Sequence, residues 1–440
     1  MNIVYIHTHD SGRYIQPYGY NIPTPNLMEL AKQSTLFRHC YCAGPTCSPS
    51  RAALLTGTAP HVNGMLGLAH RGFLMKDYNM HLSSYLRGVG YETALCGVQH
   101  EAPDAGMLGY DRIITENTPA ASHGERDIQN ARAAAEYIRN SAGKGKNFFL
   151  SFGMFSTHRE FPTADDGADT ERQDYIMPPH VMYDTPANRE DMLGYHRSAK
   201  TADRCVGIVM EALSTPNIEG NTAVIFTTDH GIAFPRMKCS LYDTGIGVAF
   251  MLKFPGNPKK GANDILISHI DVFPTLCDLC GIEKPGWLMG KSFYGALLGG
   301  TDEINSEIFA EVTYHAAYEP MRCIRTARYK LIRRYDFHSA MVPSNTDDGP
   351  GKRFLLEAGI MSRPVGREML FDLHLDPVER ENLVNDGAYT AVYNDLSARL
   401  SDYMERTDDP LNAVNHRVPA PSGAKINKLG CIHPIDADFE

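Results

Sequence analysis

Residues 2–12 read NIVYIHTHDSG: the apolar, β-branched run Asn2–Ile6 passes into a polar turn. A short apolar run without alternation, bounded by polar residues, describes a buried strand. Outward from it the pattern repeats. TPNLMELAKQS opens a helix, with Thr24 at the N-cap and Pro25 at the first helical position. HLSSYLRGVG reads as a helix ending at Gly88 or Gly90, and YETALCG as the next strand. The helix DIQNARAAAEYIRN precedes the strand NFFLSFGMF, and the helix MLGYHRSAKTADRCVGIVMEALS precedes the strand TAVIFTTD. VAFMLKF and DILISHI read as short strands before the helix DVFPTLCDLCG. Strands alternating with helices predict an α/β fold with a mostly parallel, buried sheet. In such sheets ligands gather beyond the carboxyl ends of the strands.

After about residue 305 the alternation stops. EIFAEV, MRCIRT, YKLIRRY and EMLFDL are strands without helices between them, which predicts an antiparallel sheet, and the helix YTAVYNDLSARLSDYMERT follows. Residues 338–367 are polar and rich in Gly and Pro and read as a long loop, often functional in a compact domain. The expected division is 1–305 for the large α/β unit and 306–440 for a smaller α+β unit, within a chain of 440 residues.

A formal net charge of −10 argues against a nucleic-acid partner, which wants a basic stripe, and leaves room for an anionic small substrate in a locally positive site. The ten cysteines show no compact disulfide spacing. Cys277 and Cys280 form a C-x-x-C within an apolar helical run and read as core packing rather than metal or redox chemistry. No apolar run reaches the roughly 18 residues a membrane helix needs. No charged leader precedes the strand at Asn2, so the expectation is a cytoplasmic protein with reduced thiols and no membrane partner.

CSPSRAALLTG, Cys47–Gly57, places a cysteine on a turn where Ser-Pro-Ser starts a helix. The helix N-terminus carries partial positive charge and Arg51 a full one, a setting that lowers a thiol pKa or holds an anion. A buried, inert thiol at a helix start reads equally well from local chemistry alone.

The motif resembles the signature of the type I sulfatases, C-x-P-S-R-x-x-x-L-T-G, matched here by Cys47, Pro49, Ser50, Arg51, Leu55, Thr56 and Gly57. The resemblance extends over nearly the whole chain and is strongest to the heparan N-sulfatase (sulfamidase) branch, through GLAHRGF, FPTADD, TTDHGIAFP, EVTYHAAYEPMR and LFDLHLDPVERENL. It implies an alkaline-phosphatase-like large domain and a smaller C-terminal domain with an antiparallel sheet. It implies oxidation of Cys47 to formylglycine by a maturation enzyme, and a hydrated aldehyde as the nucleophile beside a divalent cation.

By the same resemblance, Asp10 and the pair Asp229–His230 are metal ligands, and His9 stands where a further aspartate is usual. Calcium is the cation the family implies. The set of two carboxylates and two imidazoles is softer than usual, and imidazole suits Mn²⁺ or Zn²⁺ better. Cys47, as formylglycine, completes the metal set. His100 in GVQH matches the histidine of a Lys-x-His pair, with Val98 in place of the lysine. Lys238 matches a cation that contacts sulfate, and His158 the group that protonates the leaving atom. Glu311, His315 and Arg325 fall where the C-terminal domain would overhang a sulfated sugar of glycosaminoglycan type. The same superfamily contains phosphate and phosphonate monoester hydrolases. An inert sulfosaccharide-binding protein and a thiol-dependent hydrolase are the readings from other classes.

Overall fold

The computed structural model describes residues 1–440 except 116–117, 142, 164–171, 301–302, 337, 413–416, 436–437 and 440. Ala164–Asp166 of the FPTADD stretch thus lie outside the described residues. The large sheet contains β1 (Asn2–Thr8), β2 (Thr35–Phe37), β3 (Glu92–Gly97), β4 (Arg112–Ile114), β5 (Phe148–Gly153), β6 (Thr222–Thr228), β7 (Phe250–Lys253) and β8 (Gly261–Asn263). Their order is β4-β3-β5-β1-β6-β7-β2-β8, and β7 alone runs against the others.

Both faces of this sheet are covered. Ile3 and Tyr5 of β1 enter one core cluster and Val4 and Ile6 the other, the period of two that a pleated strand imposes. The first face is packed by α1 (Cys47–Thr56) and α2 (Val272–Cys280). The second is packed by the helices Pro25–Gln33, His123–Ser141 and Pro186–Leu213, the last two meeting through Ala131, Ala134, Ala135, Val206 and Val209. Each fully buried Phe or Ile here contributes about 1.5–3 kcal/mol of transfer free energy. That burial explains why the strands read as continuous apolar runs.

The second sheet, β9 (Glu307–Tyr314), β10 (Tyr318–Thr326), β11 (Tyr329–Arg334) and β12 (Glu368–Asp372), is antiparallel in chain order. One face adds Ala310, Val312, Cys323, Ile332 and Phe371 to the first core; the other packs Ile324, Leu331 and Leu370 on Leu396, Leu400 and Met404 of the helix Thr390–Arg406.

Three local expectations differ from the structure. Thr24 makes no side-chain cap. Its hydroxyl accepts from Gln16 N, and the helix start is capped instead by Asp203, which accepts from Asn26 N (3.2 Å) and Leu27 N (2.8 Å). DILISHI is extended only at Ile267–Ser268, paired with Cys40–Tyr41, because a capping box between Ser268 and Asp271 turns the chain at once. The 338–367 segment contains the helix Pro350–Glu357, entered through Gly349 and Pro350. Cys277 and Cys280 lie on α2 with Cys277 buried in the core.

Candidate active site

Four adjacent strands, β3, β5, β1 and β6, end side by side, and the loop after each delivers a site residue. These are His100 after β3, His158 after β5, His9 and Asp10 after β1, and Asp229 and His230 after β6. Their carboxyl edge is where an α/β sheet collects ligands. Close packing of the strand ends is set by glycine. A Cβ at Gly153 would lie 2.0 Å from Val98 O and 2.5 Å from His7 Cε1.

Cys47 is the first residue of α1, a helix buried along its whole length. Its Sγ lies 3.4 Å from His230 Nε2. His230 Nδ1 donates to the Gly231 carbonyl at 3.0 Å, and its Nε2 faces residue 47 and Asp10 Oδ1, 3.4 Å away. Asp229 Oδ1 accepts from Asp10 N (2.8 Å) and His230 N (2.9 Å), and its Oδ2 accepts from Arg51 Nη2 (2.9 Å). Asp10 holds a left-handed backbone, φ 41°, tied down by that amide bond and by Lys238 Nζ on its Oδ2 at 3.0 Å. His9 Nδ1 lies 3.2 Å from Asp229 Oδ2, within ion-pair range but misaligned for a hydrogen bond.

These contacts set the charges. Burial alone would raise Asp10 and Asp229, but Lys238, His158 and His230 around the first, and His230, Arg51 and His9 around the second, hold both carboxyls well below the usual range. Burial would likewise raise the Cys47 thiol; Lys238 and hydrogen bonds from His100, His158 and His230 bring it well below an ordinary cysteine. His100 is pushed down to about 4 by burial and by His9.

A divalent cation fits this cage. Among the described residues, ligating atoms of His9, Asp10, Cys47 and Asp229 all lie within 4.8 Å of one another. His9 is wholly buried with neither ring nitrogen hydrogen-bonded, and Asp10 Oδ1 is also unpartnered. Such orphans are costly unless something binds them.

The second sheet and its β11–β12 connection reach the same place. The β9–β10 turn carries His315, which burial and then Lys238 push down to about 3, with Cys47 and His230 also in its field. Asp347, in the 338–367 segment, accepts from Lys238 Nζ at 3.3 Å and keeps Oδ2 buried and unpartnered. Asn345 stitches the two together: its Oδ1 accepts from Ala317 N (2.8 Å) and its Nδ2 donates to Glu319 Oε2 (3.0 Å).

Glu311 and Arg325, expected over a sugar, point elsewhere. Glu311 binds His61 Nδ1, and Arg325 Nη2 donates to Asp243 Oδ2 (3.0 Å) with its guanidinium over Tyr41. A buried carboxylate or guanidinium needs an opposite charge, and these found theirs in the scaffold. Asp347 is absent from the sequence reading, as is His7, which bonds Arg51 Nη1 at the back of the site. The signal for Asp347 was its place in a long polar loop. His70 was passed over too; its ring stands 6.5 Å from that of His100, in the field of Cys47.

The sulfatase family profile matches residues 1–282, and that of the C-terminal region of N-sulphoglucosamine sulphohydrolase matches residues 230–344. The chain belongs to the sulfatase family. It is a hydrolase of sulfuric esters or sulfamates. This sulfatase is 27% identical to human N-sulphoglucosamine sulphohydrolase, over 93% of this chain and 89% of that protein. It is 27% identical to an ulvan-active sulfatase of Formosa agariphila, over 93% and 80% of the respective chains. Solved structures share the fold. A putative sulfatase from Bacteroides thetaiotaomicron superposes with a TM-score of 0.73 at 24% identity, covering 96% of this chain and 95% of the other. BT4656 in complex with its substrate D-glucosamine-2-N,6-O-disulfate gives 0.71 at 16% identity, covering 95% and 99%.

Proposed function

We propose that this sulfatase hydrolyses sulfate esters or sulfamates of saccharides, of the glucosamine type found in glycosaminoglycans, with residue 47 in its formylglycine form. The observation that carries the reading is Cys47 Sγ, 3.4 Å from His230 Nε2, inside the ring of donors at the carboxyl edge of the parallel strands. The relatives named for N-sulphoglucosamine and for ulvan support a saccharide substrate. His9, Asp10, Asp229 and His230 hold the divalent cation, for which the family resemblance implies calcium. A formylglycine-generating enzyme is the partner in maturation. Residues 1–305 form the catalytic unit, and 306–440 supplies His315 and Asp347 to the sugar side.

Cation and formylglycine hydrate together supply a nucleophilic hydroxyl and Lewis-acid charge at the sulfate. The chain's own residues do the rest. Arg51, held by Asp229, His7 and the Thr8 carbonyl, and Lys238, held by Asp10 and Asp347, are fixed cations in a buried cage, where their charge acts on the transferring group more strongly than in water. His158 bonds the Arg159 carbonyl through Nδ1, so Nε2 faces the site, 4.0 Å from Asp10 Oδ2, and protonates the leaving oxygen or nitrogen. Asp127 fixes the His158 loop by accepting from Phe155 N and Ser156 N, both at 2.8 Å. His100, neutral, takes a proton from the residue 47 side chain. With Val98 in the lysine position, that position adds no positive charge, and Lys238 and Arg51 are the fixed side-chain cations among the described residues of the cage.

The test is a panel of 2-O-, 3-O-, 6-O- and N-sulfated glucosamines with an aryl sulfate, an aryl phosphate and an aryl phosphonate, assayed on matured protein. Sulfate release from at least one sugar, with kcat/KM above that for the phosphorus esters, is expected. Preference for phosphate or phosphonate would instead make the chain a monoester hydrolase of that chemistry.

A further inference from the structure

We infer that the cage built by His9, Asp10, Asp229 and His230 selects a first-row transition-metal ion, Mn²⁺ or Zn²⁺, over calcium. The inference rests on the reading of these four residues as the cation site and replaces the calcium that the family resemblance implies.

Donor chemistry is the first ground. Calcium takes about 6–8 oxygen ligands, mostly anionic or carbonyl. Here the side chains offer two carboxylates and two imidazoles. The carboxylates are already engaged: Lys238 Nζ lies 3.0 Å from Asp10 Oδ2, and Arg51 Nη2 lies 2.9 Å from Asp229 Oδ2. Each of the two carboxylates thus has one oxygen held by a fixed cation, although Lys238 is shared with Asp347, so the types of donor atom rather than net charge carry this ground. Imidazole nitrogen binds borderline metals through a directed lone pair and does little for calcium.

The state of the imidazoles is the second ground. His230 gives Nδ1–H to the Gly231 carbonyl (3.0 Å), the outer contact that orients a ligating histidine. His9 is wholly buried and neither ring nitrogen is hydrogen-bonded. A histidine placed only for packing would have at least one nitrogen satisfied. The pairs His9 Nδ1–Asp229 Oδ2 (3.2 Å) and His230 Nε2–Asp10 Oδ1 (3.4 Å) are close enough to share one ion.

The test uses matured protein, stripped of metal and dialysed against equal Mn²⁺, Zn²⁺ and Ca²⁺, with bound metal measured by plasma mass spectrometry. One equivalent of Mn²⁺ or Zn²⁺ is expected. Separate titrations should give an affinity on the order of 100-fold above that for Ca²⁺. In His9→Asp the ratio should fall on the order of 10–100-fold toward calcium. Because His9→Asp sits in a buried position and could unfold the chain, wild-type protein loaded with Co²⁺ provides a second reading: intense visible ligand-field bands that shift on nitrogen ligation. Calcium retained over Mn²⁺ and Zn²⁺, or no divalent ion bound, overturns the inference. No substrate is involved, so an inactive protein that binds Mn²⁺ or Zn²⁺ would sink the sulfatase reading and leave this one standing.

Discussion

Two buried clusters in this protein use nearly the same residue types. One is the Cys47 site with His9, Asp10, Asp229, His230, Arg51 and Lys238; the other joins His61, Glu311, Arg322 and Asp409, and both bring three or more ligating atoms together. In the second, the cation is part of the protein. Arg322 donates to Asp409 through Nε (2.5 Å) and Nη2 (3.0 Å) and to the Val312 carbonyl, filling the centre of the cluster and fastening β10 to the segment after the last long helix. In the first, the two cations stand at the edge, one on each carboxylate, and His9 keeps both ring nitrogens unpartnered. Composition does not separate a site from a staple. The position of the fixed cation does.

The comparison can be broken from either side. The largest effect belongs to Arg322→Met. It leaves Asp409 buried and unpaired and should cost about 3–5 kcal/mol in urea unfolding, with kcat of the folded fraction unchanged. Adding Asp409→Leu should recover most of that loss; a double variant no more stable than the single would show that the cluster is more than a staple. Lys238→Ala should act on turnover, lowering kcat of the folded fraction by about 10²–10³-fold in steady-state assays.

A second contrast lies among the thiols. In metal-stripped protein before maturation, Cys47 is lowered by Lys238 and its histidines against the effect of burial, whereas burial raises Cys42, Cys239 and Cys323. A lowered thiol stays ionised as pH falls below the ordinary cysteine value. Alkylation of Cys47 by iodoacetamide, followed by peptide mass spectrometry, should therefore stay nearly flat from about pH 9 to about pH 7, while an ordinary thiol slows about tenfold per unit. The smallest expected effect is structural: Asp203→Ala removes the carboxylate that caps the helix Pro25–Gln33 and should cost about 1–2 kcal/mol in thermal unfolding with activity intact.

What the sequence made legible follows the range of the interactions involved. The central strands β1, β3, β5, β6 and β7 are buried on both faces and so announce themselves as apolar runs, whereas the exposed edge strands β4 and β8 and the three-residue β2 do not. The ligand positions sit directly after them, in HTHD and TTDHG, so strand ends and site were read together. The reversal of β7 left no trace, because an apolar run reads alike in either direction. The cap of the first helix was misplaced on Thr24 because Asp203 reaches it across 177 positions. Asp347 meets Lys238 across 109 positions and was legible only as part of a long polar loop. Glu311 and Arg325 were expected at the sugar because they lie near its side of the sheet in the sequence; His61 and Asp243, the partners that engage them, are distant in sequence and could not be seen there.

The central claim is that turnover depends on a converted residue 47 set in this cage. Preparations matured to different extents can be compared by quantifying the residue 47 peptide by mass spectrometry and measuring sulfate release from the best sulfated sugar on the same samples. Specific activity should rise in proportion to the converted fraction and pass through zero when residue 47 is entirely cysteine. Undiminished sulfate release from fully unconverted protein would contradict the account.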